Sequence, residues 1–476
     1  MPTGSKSSLY KAGLVLIDLI IINGGYLLAY LIRYGYPLPS INSANFEAYL
    51  SSWPWLTLSA LGLLYFYRFY AGYRWRWAEI FAGILCVVFF QALAAIAIAF
   101  YMRGFAFPRT VLLLAPFVHL VLLSAWRRLA WHIERGLQGT RRALVVGRQA
   151  EAAALAEKLK AVSFGMIRVD GLVVDRLEGE DNGDLVRIRI LEESTGAGPA
   201  GDTHPVLGDI SVFCECLDAD QPDAVFVCAG LSMQDKAEVL YTCAARDVGA
   251  YLVPGFYEIL VAQSRLDQVD DIPVFSVGRL SIPEEARLLK RVLDIAFSLF
   301  ALVLAAPLMA LVAAAVRLDS PGPVLYRQRR LSEHGKPFYL YKFRTMVDGA
   351  EASTGPVLAG ADDPRVTRVG RVLRATRLDE LPQLINVLRG EMSLVGPRPE
   401  RPFFVNQLMS EVPEYVYRMN VKSGITGLAQ VAGRYSTSPE CKLMYDLLYT
   451  RSYSPARDIA ILFQTVKVIL MKDRAS

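Results

Sequence analysis

The run IAFSLFALVLAAPLMALVAAAV, residues 295–316, is long enough to cross a bilayer as a helix, but Pro307 stands in its middle and basic residues flank it on both sides. Arg287, Lys290 and Arg291 precede it, and Arg317, Arg327, Arg329 and Arg330 follow. A crossing would export one of these clusters against the cytoplasmic bias of Lys and Arg. Pro307 lacks the backbone N–H and kinks a helix, so a segment over about residues 290–317 that enters one leaflet, breaks at Pro307 and returns satisfies every constraint. An ordinary fifth span with a proline kink is the competing reading.

Upstream, residues 10–32, 49–70, 80–100 and 111–131 are apolar and each approaches the ~20 residues of a membrane span. Basic residues gather around Lys6 and Lys11, from Arg68 to Arg76 and from Arg127 to Arg142, while the alternate loops offer only Arg33, Arg103 and Arg109, so both ends of a four-helix bundle should face the cytoplasm. Trp53, Trp55, Trp75, Trp77 and Trp126 near the ends of these runs suit an interfacial belt. Asp18 and His119 are almost the only ionisable groups inside and read as packing or helix-end groups rather than an ion pathway. Residues 1–8 carry one lysine and no small-residue cleavage site, which fits a retained anchor.

The whole chain of 476 residues has 51 basic and 46 acidic side chains, a formal charge of +5, too near balance for a dedicated nucleic-acid binder. Charged residues make up 20%, below the roughly 25% of soluble domains. Mean hydropathy is +0.30, so a fully soluble enzyme is not expected. The six cysteines form no CxxC pair and read as reduced, buried thiols.

Between the bundle and residue 295, short β-branched runs alternate with Ala-rich helical ones, the pattern of a small parallel α/β domain. Residues 177–203, rich in Gly, Glu and Asp, read as an exposed insertion. After Val146 only Gly147 stands where a dinucleotide fold needs G-x-G-x-x-G, so a structural or regulatory role is favoured over cofactor binding. Asp218-Ala219-Asp220 imitates a metal-binding D-x-D and is taken as a chance match. The organisation expected is a bundle over 1–138, the α/β domain over 139–265, a linker over 266–286 and a catalytic domain over 287–476.

Chemistry concentrates in residues 326–434. Arginine recurs among prolines and glycines there, and forked guanidinium groups suit bidentate binding of phosphate. In Pro397-Arg398-Pro399 two fixed φ angles hold Arg398 in one direction. Asp379 and Glu380 stand just before Pro382 and an apolar helical run, which places Asp379 near a helix N-cap. Free N–H groups there, with Arg374 and Arg377, should keep Asp379 ionised and draw a phosphate onto it. Adjacent carboxylates point about 100° apart on a helix, so one can attack phosphorus while the other handles a proton or a metal. Residues 458–471 are apolar and read either as an interfacial helix or as core packing.

The runs KFRTM (342–346), DPRVT (363–367), LDELPQ (378–383), NVLRGEMSLVGPRP (386–399) and GITGLAQVAGR (424–434) occur in this order. Together they resemble the polyprenyl-phosphate hexose-1-phosphate transferases, the monotopic phosphoglycosyl transferases of bacteria, from about Leu289 to the C-terminus. The bundle and a degenerate, Rossmann-like nucleotide-fold domain resemble the long-form members. The resemblance implies transfer of a sugar phosphate from a UDP-sugar to undecaprenyl phosphate with release of UMP and a requirement for Mg²⁺. Such a reaction opens exopolysaccharide or O-antigen assembly, on the cytoplasmic face of the bacterial inner membrane. The resemblance further implies that Asp379 is the nucleophile that forms a covalent phosphosugar and contacts Mg²⁺, that Glu380 assists, and that Arg374 and Arg434 bind phosphate. Arg377, Arg398, Lys342 and Arg344 complete the candidate phosphate-binding set, and a homodimer through the bundle or the middle domain is a reasonable expectation by the same resemblance. Where the family often carries Ser-Pro at the membrane break, this chain has Ala306-Pro307, leaving the proline alone to make the bend. Glucose and galactose are common among long-form donors, and no residue here selects between them. Two other classes compete: a membrane glycosyltransferase, which would release UDP, and a nucleotide-sensing membrane regulator, which would have no use for Asp379 and Glu380.

Overall fold

The structure, a computed structural model, describes residues 5–35, 44–70, 76–102, 107–163, 166–175, 204–262, 264–278, 280–350, 363–433 and 437–471. The expected insertion at 177–203 lies outside them. The chain divides into two compact units, Met1–Gly255 and Phe256–Ser476.

The first unit opens with four helices, α1 (Ser5–Tyr34), α2 (Ala44–Phe66), α3 (Trp77–Tyr101) and α4 (Arg109–Gln138). Residues 10–34, 77–101 and 109–136 are long and apolar enough to cross a membrane. In α2 the stretch Ser51, Ser52, Trp53, Pro54, Trp55 interrupts the apolar run, which sets it apart from the other three. Two buried ionisable groups inside the bundle find partners on neighbouring elements, which a medium without water favours. Asp18 is fully buried and pairs with Arg127, while Tyr70 donates to its Oδ2 at 2.9 Å. His119 Nε2 lies 2.8 Å from the Ile22 carbonyl, and a Cβ on Gly25 would sit 2.4 Å from the imidazole, so the glycine makes room for the ring. Arg127, counted from sequence among the residues marking the cytoplasmic end, is thus spent inside the bundle.

An α/β domain follows: β1 (Arg141–Gly147), α5 (Gln149–Ser163), β2 (Ile167–Val174), β3 (Val206–Asp209), α6 (Phe213–Asp220), β4 (Ala224–Val227), α7 (Met233–Ala245) and β5 (Gly249–Leu252). The strands form one sheet in the order β3-β2-β1-β4-β5, every pair parallel. Period-two alternation sends Leu144 and Val146 to one covered face with Val225, Val227 and Val239, and Val145 to the other with Ala152, Ala156 and Leu172. The Asp218 and Asp220 carboxylates each meet an arginine, Arg246 at 2.8 Å and Arg142 at 3.4 Å, an ordinary ion-pair role. Of the six cysteines Cys86, Cys228 and Cys243 are buried, but Cys214 and Cys441 are exposed, contrary to the expectation of uniformly buried thiols.

The second unit contains α8 (Phe256–Val261), the hairpin β6 (Arg265–Val269) and β7 (Ile272–Ser276), the long α9 (Glu284–Asp319), and a second hairpin β8 (Leu325–Leu331) and β9 (Pro337–Phe343). After these come α10 (Arg368–Thr376), α11 (Gln383–Arg389), β10 (Ser393–Val395), α12 (Pro402–Glu411), β11 (Gly424–Thr426), α13 (Leu428–Ala432), α14 (Pro439–Arg451) and α15 (Pro455–Ile469). The run 295–316 lies in α9, which the structure carries as one 36-residue helix with Pro307 inside it rather than as two helices.

The contacts of α9 define its setting. Near its start Lys290 Nζ donates to Asp458 Oδ2 at 2.6 Å, Arg291 to the carbonyls of Val387 and Leu388, and the Leu394 N–H to Asp294 Oδ1. At its end Val312 and Val316 pack with Phe343 and Leu373, and the Val369 N–H donates to Asp319 Oδ2 at 3.0 Å. One stripe of α9 is thus anchored to this unit from its first turns to its last. The opposite stripe, including Val292, Leu299, Phe300, Val303 and Leu311, is exposed. Helix α15 packs Ile461, Leu462 and Val468 into the core with Phe338, Leu340, Val387 and Met392, which decides residues 458–471 in favour of packing.

Candidate active site

Three backbone features place the two carboxylates. Strand β9 buries Phe338, Leu340 and Phe343 and leaves Lys342 half-buried at the strand's end. Helix α10 ends at Arg377, which takes a left-handed conformation (φ 59°), an uncommon state for a residue with a Cβ. The chain then makes a 3₁₀ turn, Leu378–Glu380, and α11 begins only after Pro382. Asp379 is therefore not at the N-cap of α11: Pro382 holds that position, and no side chain caps the helix. Its placement comes from the reversal between α10 and α11.

The two carboxylates differ sharply in surroundings. Glu380 Oε1 lies 2.9 Å from Lys342 Nζ, 2.9 Å from Arg398 Nη2 and 3.9 Å from Arg377 Nη1. Burial alone would raise the Glu380 carboxyl, but the charges and hydrogen bonds of Arg398 and Lys342 outweigh it and hold the group well below the usual carboxylate range. Asp379 lies 3.8 Å from Lys342, and its Oδ1 is buried without a hydrogen-bond partner. Burial dominates here and pushes the Asp379 carboxyl upward, against Lys342, Arg377 and Arg374. The expected help from the helix end is corrected accordingly: Asp379 Oδ1 gains no hydrogen bond, and burial outweighs the neighbouring cations.

The other candidates divide. Lys342, Arg377 and Arg398 meet at Glu380, and Arg374, whose Nε donates to Thr345 Oγ1 at 3.0 Å, adds its charge to the field at Asp379. Arg344 is engaged elsewhere: it donates to Ser320 O at 2.6 Å, Ser320 Oγ at 2.9 Å and the Pro323 carbonyl, closing the C-terminus of α9. In the DPRVT run Arg365 pairs with Asp363 at 2.6 Å and Thr367 caps α10 by accepting from the Gly370 N–H. Arg434 lies outside the described residues.

Sequence reasoning passed over the groups that hold this arrangement together. Asn386, fully buried in α11, accepts from the Tyr341 N–H at 3.1 Å and donates to Tyr339 O at 2.8 Å, pinning β9 on both sides of a residue that precedes Lys342. Gly396, Gly424 and Gly427 let the Pro-Arg-Pro loop lie against the turn around β11, where a Cβ on Gly396 would fall 2.3 Å from the Lys422 carbonyl and one on Gly427 2.2 Å from the Gly396 carbonyl. The GITG and GPRP runs, read from sequence as separate motifs, are two sides of one backbone contact.

The bacterial sugar transferase family profile matches residues 285–472. A UDP-glucose:undecaprenyl-phosphate glucose-1-phosphate transferase of Caulobacter vibrioides is 45% identical over 193 residues, 39% of this chain and 71% of that one. The chain belongs to the bacterial sugar transferase family. Other bacterial sugar transferases similar to it include a UDP-N-acetylgalactosamine-undecaprenyl-phosphate N-acetylgalactosaminephosphotransferase of Aeromonas hydrophila, 37% identical over 57% of this chain and 66% of that one. A UDP-glucose:undecaprenyl-phosphate glucose-1-phosphate transferase of Escherichia coli K12 is 37% identical over 56% of this chain and 59% of that one. The match thus spans less than two thirds of the length of these last two relatives.

Proposed function

We propose that this sugar transferase moves a sugar 1-phosphate from a UDP-sugar to undecaprenyl phosphate through a covalent intermediate on Asp379, the first membrane step of exopolysaccharide or O-antigen assembly. The observation that carries the reading is the contrast within the dyad: Glu380 is saturated by cations, while adjacent Asp379 keeps a buried oxygen with no partner. An Asp379 oxygen attacks the sugar-bearing phosphorus, the bond from that phosphorus to the bridging oxygen breaks, and UMP leaves with the bond's electrons. The phosphate oxygen of undecaprenyl phosphate then attacks the same phosphorus and frees Asp379, giving undecaprenyl-diphosphate-sugar. Lys342, Arg377 and Arg398 are gathered at Glu380 before substrate arrives, so the cations that neutralise the donor's phosphates are preorganised.

Mg²⁺ fits this site. No cluster of three or more His, Cys, Asp or Glu side chains able to hold a metal occurs among the described residues, and the unpartnered Asp379 oxygen is a hard donor. One carboxylate plus substrate phosphates and water is the usual setting for Mg²⁺. Bound there, the ion would screen the negative charge of the pyrophosphate.

The setting of α9 supports a segment that does not cross. At 1.5 Å per residue its 36 residues would extend about 54 Å, against a hydrocarbon core of ~30 Å, and its anchored stripe binds both ends to one unit. A perpendicular crossing would carry that unit into lipid. A helix that dips into the cytoplasmic leaflet at Pro307, with its bare stripe toward the acyl chains, keeps Asp379 near headgroup depth, where the lipid phosphate resides. The α/β domain is proposed as a degenerate dinucleotide-type fold without cofactor: the Gly230 N–H, beyond the end of β4, is taken by Glu151 Oε2 at 3.1 Å.

Purified protein incubated with a UDP-sugar and undecaprenyl phosphate should release UMP. Release of UDP would establish a glycosyltransferase instead, and no nucleotide product from any UDP-sugar would favour a sensor. The relatives act on glucose and on N-acetylgalactosamine by name, so the donor is proposed only as a UDP-hexose or UDP-N-acetylhexosamine.

A further inference from the structure

Behind Arg398 lies a second charged pair that touches neither member of the dyad. Arg418, in the 3₁₀ segment Pro413–Asn420, and Asp446, in α14, are 7% and 2% exposed and stand 2.9 Å apart. The same Arg418 Nη2 donates to the main-chain carbonyl of Arg398 at 3.0 Å, and its Nη1 donates to the Tyr415 hydroxyl. The contact with Asp446 Oδ2 is an ion pair without hydrogen-bond alignment, so the directed bonds of the guanidinium go to Arg398 and Tyr415. A buried ion pair is seldom more stabilising than well-packed apolar residues of the same size, so its burial needs another reason. The Pro-Arg-Pro sequence supplies one. With φ fixed at Pro397 and Pro399, gripping the carbonyl between them leaves the Arg398 side chain little choice of direction, and that side chain ends on Glu380.

We propose that Arg418, itself held by Asp446, is a positioning residue: it anchors the Arg398 carbonyl and so sets where the Arg398 guanidinium meets Glu380 and the donor phosphates. The inference rests on the transferase reading above. It also carries a pH signature. Burial, opposed by Arg418, pushes the Asp446 carboxyl up to about 6. The groups that face it are Arg418 and Tyr415 from the 3₁₀ segment, Glu400 beyond β10, and Lys442 from its own helix. Below that pH Asp446 is neutral and its hold on Arg418 weakens; above it the pair is intact.

Arg418→Lys keeps the charge and loses the fork. It should lower kcat about 10- to 30-fold while moving the donor KM by less than about threefold, with an unchanged melting temperature. In an Arg398→Lys background the same change should cost less than about twofold, because the residue it acts through is already altered. An acid limb near pH 6 is expected in kcat of the native enzyme and should be lost in Asp446→Asn, and comparison on identical substrates cancels titration of their phosphates. Independent losses in the double variant, or a fall in kcat that follows a fall in melting temperature, would overturn the proposal. A native enzyme that releases no UMP would defeat the transferase reading instead. Positioning is then judged by crystal structure: Arg398 must leave Glu380 in Arg418→Lys, and an undisturbed Arg398 refutes it.

Discussion

Burial of Asp379 and ion-pairing of Glu380 assign the two carboxylates opposite proton affinities, and each assignment has a measurable sign. Asp379 is raised, so its ionised form is disfavoured by folding: whatever stability the group contributes is present below its unfolded pKa and lost as pH rises through the folded one. At neutral pH the charge is a liability, and Asp379→Asn should keep or raise the melting temperature while cutting turnover by about 10⁴-fold or more. Retained turnover would remove Asp379 from the chemistry. Because Lys342 opposes the rise, Lys342→Gln should move the Asp379 ionisation in kcat/KM, separate from the Asp446 limb in kcat, to higher pH, read from a pH–rate profile against the native enzyme. Glu380 is depressed, so its contribution is complete above the ordinary Glu pKa and is lost only as pH falls through the lowered value. Glu380→Gln leaves Arg398 without its carboxylate and Lys342 with only the more distant Asp379, and should cost about 1–3 kcal/mol at pH 7, less than a fully buried pair because Arg398 is 41% exposed. An unchanged denaturant midpoint would show that solvent already screens these cations.

Elements, rather than residues, decide how far a sequence can be read. The four bundle helices were legible as apolar runs of membrane-spanning length, and β1, β2, β4 and β5 as short β-branched runs between Ala-rich ones. Strand β3 and helix α6 were not, since Val206-Leu207-Gly208-Asp209 carries Gly and Asp where β4 carries Ala-Val-Phe-Val, and its partner β2 is distant in sequence. The dyad was found as a motif, but its setting was misread: the left-handed Arg377 that ends α10 leaves no mark in composition, and the apolar run after Pro382 suggested a helix starting at Asp379. Arg344 was misassigned for a related reason. A guanidinium that caps the carbonyls of a helix 24 residues upstream looks the same in sequence as one that binds phosphate. Asn386 lies inside a recognised motif, and only the fold shows what it does. Asn386→Ala should destabilise the protein by about 2–3 kcal/mol in chemical denaturation, because the Tyr341 N–H and Tyr339 O lose a buried partner. A loss below about 0.5 kcal/mol would mean that water reaches these groups and that the bracing of β9 lies elsewhere.

At the scale of the whole molecule the open choice is the side of the membrane on which each unit works, and the chain carries its own reporters. Cys214, in the α/β domain, and Cys441, at the start of α14, are exposed, while Cys86, Cys228 and Cys243 are buried. Burial shields those thiols and raises Cys228 and Cys243 to about 11, which leaves little reactive thiolate at neutral pH. Cys216 is half-buried and is likewise raised to about 11, so a membrane-impermeant maleimide reads mainly Cys214 and Cys441, and Cys214→Ser and Cys441→Ser separate the two signals. If α4 returns the chain to the cytoplasm and α9 dips without crossing, intact cells whose outer membrane alone is opened should label at neither position, and both should label once the inner membrane is breached. The two reporters fail differently. Labelling of Cys441 alone from the periplasm would make α9 a true span and put Asp379 on the wrong side for a UDP-sugar. Labelling of Cys214 would instead revise the number of spans before it, where α2, with its Ser-Ser-Trp-Pro-Trp interruption, is the helix least suited to cross.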